Sequence, residues 1–177
     1  MVNRIILACV FLLLSSCGFH LRNASDIPPS LRILYLETGP SYIGFSASLR
    51  RTLTAMDVYV VDAATKAPVT LKITNIAFSH NNPSITSTSD VVSYTYTFHF
   101  DYQLLDAHGC PLSKVNSIET HQSILLNAQQ IYSASSDALV KPQLQQDAIT
   151  LLLNRLTTQK TQQQLMKNSR LPKAHPC

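Results

Sequence analysis

Glycine is scarce in this 177-residue chain, four in all, and none lies in a phosphate-cradling loop, which sets nucleotide chemistry aside. No G-x-S-x-G turn occurs, and the serines gather in low-complexity contexts such as Ser84–Ser89 and Ser133–Ser136, so the sequence offers no nucleophile paired with a base. Length is limiting too: one domain with a real core fits, two do not fit comfortably. Charge of one sign is not in excess over residues 17–159, which hold 9 basic and 10 acidic groups. The body is electrically balanced. The surplus sits at the end, where Lys160, Lys167, Arg170 and Lys173 follow one another with no acidic residue among them. Such a tail does not suggest nucleic acid as a partner.

What is present starts with Arg4 and the ten apolar residues Ile5–Leu14, which run into Leu14-Ser15-Ser16-Cys17. Ten residues are too few to cross a hydrocarbon layer about 30 Å thick, whereas a basic start, a short apolar core and small residues before a cut make a secretory signal. The expectation is a signal peptide over 1–16. Cys17 stands where the cut falls, as in the lipobox of bacterial lipoproteins, which it resembles. That likeness implies acylation of Cys17, and several acyl chains, each methylene contributing about 0.8 kcal/mol, hold a protein on a bilayer for its lifetime. Gly18 in place of aspartate resembles outer-membrane rather than inner-membrane residents of that class. Of the four cysteines, Cys110 and Cys177 then remain, with 66 residues between them, either as a disulfide or as two free thiols.

Periodicity gives the elements. Leu31–Leu36, bounded by Pro28-Pro29 and Thr38-Gly39-Pro40, reads as a buried strand, and Phe45, Leu49, Leu53 and Met56 place one apolar face on a helix over about Ser41–Ala55. Val58–Val61 is a brief strand candidate and Lys66-Ala67-Pro68 a loop. Val69–Phe78 alternates until Ile76 and Phe78 fall on the wrong parity, which a β-bulge near Asn75 reconciles. Ser79–Asp90 reads as an exposed connection. Tyr94, Tyr96, Phe98, Phe100, Tyr102 and Leu104 then alternate with polar residues, followed by a turn at Asp106–Gly109 and a return arm over Leu112–Leu126. Leu144, Ala148, Leu152 and Leu156 mark a last helix that either opens near Lys141 or begins near Ser135 and kinks at Pro142. These elements predict an α+β domain over 17–159, with a mostly antiparallel four-stranded sheet and two helices packed on one face, then a disordered basic tail over 160–177.

Two i, i+2 pairs, His99 with Asp101 and Glu119 with His121, share a sheet face and are the available titratable clusters. Polar residues on the solvated side of a sheet account for them without a metal or a reaction. The expectation is a non-enzyme without metal or cofactor.

The opening CGFHLR at Cys17–Arg22, followed by NASDIP at Asn23–Pro28, resembles the start of the LPS-assembly lipoprotein family, LptE, and the order of elements over 17–159 is similar to that family's. The resemblance implies a non-catalytic subunit of the lipopolysaccharide translocon, lipid-anchored at the periplasmic face of the outer membrane. Its implied partners are the β-barrel protein LptD, which it plugs and helps to assemble, lipopolysaccharide, and the inner leaflet through Cys17. Basic residues of the family are associated with lipopolysaccharide contact, yet Ser79–Asp90 here has no lysine or arginine, which leaves Lys114, Lys141 and the tail as candidates. Pro142 is a second departure, because the family's last helix is expected to run unbroken. The alternative from another class is a free periplasmic lipoprotein that binds a small amphiphile between sheet and helices.

Overall fold

The alternating aromatic segment forms the longest strand of the computed structural model, which describes residues 27–81, 84–85, 91–127 and 134–158 together with 161 and 163. In chain order these carry β1 (Ile33–Thr38), α1 (Ile43–Ala55), β2 (Tyr59–Val61), β3 (Val69–His80), β4 (Ser84–Ile85), β5 (Val91–Asp106), β6 (Asn116–Asn127) and α2 (Ala134–Thr157). The strands make one six-stranded mixed sheet in the order β2-β1-β3-β5-β4, with β6 also paired to β5. β1 runs parallel to both β2 and β3, whereas β3, β4 and β6 are antiparallel to β5.

The α+β class agrees with the sequence reading, but four mostly antiparallel strands is a correction: there are six, and β1 is parallel to its neighbours. The reason is the helix between β1 and β2. Neighbouring parallel strands need a crossover that returns the chain to the starting end of the sheet, and α1 supplies it between β1 and β2. Three boundaries also move. Leu31 belongs to a 3-10 turn before β1, the first helix starts at Ile43 after a 3-10 turn over Pro40–Tyr42, and the return arm starts at Asn116. Part of the expected exposed connection is strand, since β3 reaches His80 and Ser84–Ile85 pair with Ser93 and Val92; residues 82–83 and 86–90 lie outside the described residues. Of the two readings of the last helix the longer extent is observed: it begins at Ala134 and passes through Pro142. Without an N–H, Pro142 leaves the Ala138 carbonyl without its usual helical donor. Residues 1–26 and 164–177, which hold the expected signal, Cys17 and most of the tail, also lie outside the described residues.

Local chemistry explains where α1 stops. Val58 N–H donates to the Leu53 carbonyl and Asp57 N–H to that of Thr54, each at 3.1 Å, with Asp57 at φ 59°. This is a Schellman ending with a left-handed residue after the last turn, and buried Val58 supplies its apolar contact. The bulge in β3 falls where parity demands it. Thr74 pairs with Asp101 and Ala77 with His99, so Asn75 and Ile76 together oppose Phe100, and Asn75 takes φ 52°. Before the bulge Leu71 and Ile73 face the helices; after it Phe78 does so, stacked on Tyr96 at 6.0 Å.

Both helices lie on that face. Phe45 of α1 meets Phe98 and Phe100 of β5 at centroid separations of 5.2 Å, and Leu144, Ala148, Ile149 and Leu152 of α2 are fully buried beside Ile118. Two polar contacts fix α2 along the sheet: Thr120 Oγ1 donates to the Leu144 carbonyl at 3.1 Å, and Arg155 Nη1 to the Ser117 carbonyl at 2.6 Å. Because Thr120 pairs with Phe98 and Ser117 with Asp101, α2 runs toward the end of the sheet where the β5–β6 turn lies.

Truncation of Phe45 leaves a hole facing two rings, so Phe45→Ala lowers unfolding free energy by about 3–5 kcal/mol, whereas Ile43→Ala, at a residue 75% exposed, changes it by no more than about 0.5 kcal/mol. Urea unfolding of the two variants measures both.

Candidate functional site

The face of the sheet turned away from the helices carries four successive polar pairs across β5 and β6. Register places Thr95 opposite Ser123, Thr97 opposite His121, His99 opposite Glu119 and Asp101 opposite Ser117. Every pair is in polar contact. Thr95 Oγ1 and Ser123 Oγ are 3.0 Å apart, Thr97 Oγ1 and His121 Nδ1 3.0 Å, and His99 Nδ1 and Glu119 Oε2 3.7 Å, while Ser117 Oγ donates to Asp101 Oδ1. Contacts along each strand join the rungs, His99 Nε2 to Asp101 Oδ1 at 3.4 Å on β5 and His121 Nε2 to Glu119 Oε1 at 3.0 Å on β6. The i, i+2 pairs expected from sequence therefore interleave into one row.

Asn75 joins the row because the bulge turns its side chain outward, where Nδ2 donates to Asp101 Oδ2 at 2.7 Å. The hydrogen bond from Ser117, then that from Asn75, holds the Asp101 carboxyl below its ordinary value, with His99 adding to the effect and burial opposing it. Farther along, Lys72 and Glu37 pair at 3.0 Å, and Gln103 Nε2 donates to the Ser113 carbonyl at 3.0 Å. On the helix side, burial and then the Asp137 carboxylate raise the Tyr96 hydroxyl above its ordinary range, and burial raises that of Tyr102 against a lowering contribution from Arg155.

Chemically the row is self-satisfied. Ser117, Asp101 and His99 stand in the wrong order for nucleophilic catalysis, since the carboxylate sits between serine and imidazole. Thr97, His121 and Glu119 do stand in relay order, but they lie on a half-exposed strand surface. There the N–H groups of β5 are committed to the ladders with β3 and β6, leaving no backbone pair to hold an oxyanion. Among the described residues no three His, Cys, Asp or Glu side chains are placed to hold a metal ion.

The two lysines singled out from the sequence are far apart. Lys114 is exposed in the β5–β6 connection, where its carbonyl accepts from Asn116 Nδ2 at 2.7 Å. Lys141 is at the other end, its ammonium 5.4 Å from the centre of the Phe78 ring and 5.7 Å from that of Tyr42. Phe78 is level with Phe98, eight residues of β5 from the turn, or about 27 Å. This end therefore combines a cation with two aromatic rings. Sequence reasoning missed the Tyr42–Phe78–Lys141 cluster, and no local spacing connects residues from three separate elements. A groove of about 440 Å³ opens beside it, between Glu37, Tyr42 and Asn75.

No family model matches the chain. Curated relatives named LPS-assembly lipoprotein LptE include one from Pectobacterium atrosepticum, 26% identical over 57% of this chain and 55% of its own length. Another, from Yersinia enterocolitica, is 26% identical over 66% of this chain and 57% of its own length. A third, from Yersinia pestis, is 25% identical over 87% of this chain and 74% of its own. The chain thus has homologues of that name over most of its length, while spanning little more than half of the first two. Among solved structures, the fold is shared with an uncharacterised lipoprotein B from Nitrosomonas europaea, at TM-score 0.63 and 23% identity over 79% of this chain and 90% of that one. It is also shared with a minor lipoprotein from Acinetobacter baumannii, at TM-score 0.51 and 15% identity over 80% and 97%.

The depressed Asp101 carboxyl makes a signed prediction. A carboxylate held below its unfolded value stabilises the fold above that value, near 3.8, and the contribution is lost as pH falls through the folded one. Ser117→Ala is therefore expected to lose stability at pH 6 and to show a smaller further loss between pH 5 and pH 2 than the parent. Urea midpoints across that range measure it.

Proposed function

We propose that this chain, a homologue of LPS-assembly lipoproteins, is a non-catalytic lipoprotein of the outer membrane that is anchored through Cys17 and works with a β-barrel partner, LptD, in delivering lipopolysaccharide. The observation that carries the reading is the match to curated proteins of that name over 87% of the chain, joined to the lipobox-like Leu14-Ser15-Ser16-Cys17. The polar row supports a binding role over a chemical one. Its hydroxyls, carboxylates and imidazoles are already paired, so it presents a stiff, wettable surface of the kind a barrel lumen accepts without large apolar burial. The opposite end supports contact with an amphiphile, since Lys141 supplies a cation for phosphate while the Tyr42 and Phe78 rings border it with apolar surface.

The alternative, an amphiphile held between sheet and helices, meets an obstacle in the packing. That interlayer is filled by Phe45, Leu49, Phe98, Phe100, Leu144 and Ala148, all at most 1% exposed.

Detergent extraction of the membrane-borne protein is expected to bring down an equimolar barrel, and Cys17→Ser to leave the chain in the soluble fraction. Thr97→Arg, which puts a bulky charge into the polar row, is expected to lose the barrel while the isolated domain keeps its melting temperature within a few degrees; retention of the barrel by a folded Thr97→Arg protein rejects the assigned surface. Lys141→Ala is expected to weaken lipopolysaccharide retention by about fivefold, corresponding to about 1 kcal/mol for one lysine near an anionic headgroup.

A further inference from the structure

Cys110 is disulfide-bonded, and it is the sole cysteine among the described residues. The sequence offers three partners, Cys9, Cys17 and Cys177. Its position is well defined. Asp106 Oδ1 accepts from the N–H groups of His108 and Cys110 at 2.8 and 2.9 Å, Asp106 N–H donates to the Cys110 carbonyl at 2.8 Å, and Gly109 takes the left-handed φ of 83° that such a turn needs. The thiol is thus presented on a rigid turn at one end of the sheet.

Reach does not choose the partner, because both ends of the domain arrive there. Leu34 of β1 pairs with Val69 of β3, which pairs with Asp106 of β5, so the segment leading into β1 enters at the turn. The last turn of α2 is held by Arg155 at Ser117, opposite Asp101 and so five residues of β5, about 17 Å, from Asp106. The 20 residues from Thr157 to Cys177 can span about 66–72 Å when extended.

Chemistry does choose. On the proposed function, on which this inference rests, Cys9 leaves with the signal and the Cys17 sulfur is bonded to carbon in a thioether. We propose that in the mature protein Cys110 is joined to Cys177, a covalent link that returns the basic segment after α2 to the β5–β6 turn. Two thiols become one S–S bond; the two electrons and two protons pass to a protein disulfide of an oxidising compartment, which is reduced to a dithiol by exchange.

The test uses the full chain extracted from membranes, alkylated without reduction and cleaved with trypsin. A species joining residues 73–114 to residues 174–177, lost on reduction, is expected. In Cys177→Ser, Cys110 is expected to change from unmodified to fully alkylated, with the fold intact by circular dichroism. Recovery of alkylated Cys110 and alkylated Cys177 together with acylated Cys17 overturns the inference and leaves the proposed function standing. A species joining the Cys110 peptide to Cys17 overturns both.

Discussion

Everything in this domain is arranged around a strand that is aromatic on one side and polar on the other. Tyr96, Phe98, Phe100 and Tyr102 of β5 turn to the helices, and burial of these four aromatic side chains, each contributing about 150–250 Å² of surface, demands a cover that neither helix provides alone. α1 brings Phe45 to Phe98 and Phe100, and α2 lays its leucines over the β5–β6 side of the sheet. Because side chains alternate along a strand, the same requirement delivers Thr95, Thr97, His99 and Asp101 to the other face as a continuous row. The polar row is therefore the reverse side of the core, and its spacing is set by the core's.

Much of this was legible because two periodicities carry it. The alternation from Tyr94 to Leu104 fixed the faces of β5, and the parity slip at Ile76 and Phe78 located the bulge at Asn75. What the sequence could not show depended on partners distant in the chain. Parallel pairing of β1 with β3 depends on β3 taking the edge of β1 that β2 leaves open, and a two-residue strand such as β4 has no period to read. The pairs His99/Asp101 and Glu119/His121 were visible on their own strands, but their interleaving needed the register that sets His99 against Glu119. Lys141 was visible only as a cation; its two rings come from the turn before α1 and from the end of β3.

The proposed role asks little of any single residue and much of the surface as a whole. A subunit that seats inside another protein gains from polar groups already bonded to one another, since few need to find new partners when water is displaced. The rungs of the β5–β6 row meet that condition. The cationic, aromatic end near Lys141 is different in kind, with a charge and two rings side by side, and it is about 27 Å away along the strand from the turn that holds Cys110. One domain thus separates a surface suited to a protein from one suited to an amphiphile.

The place where the chain enters the sheet has a mechanical meaning. Ile27 and Leu31 are buried in the core, and the strand that follows is hydrogen-bonded on both sides, to β2 and to β3. Tension drawn through the leading segment runs along β1 and loads both ladders in shear, so many bonds share the force at once where a frayed edge would unzip them one at a time. A domain hung from a bilayer by such a segment keeps its shape under tugging.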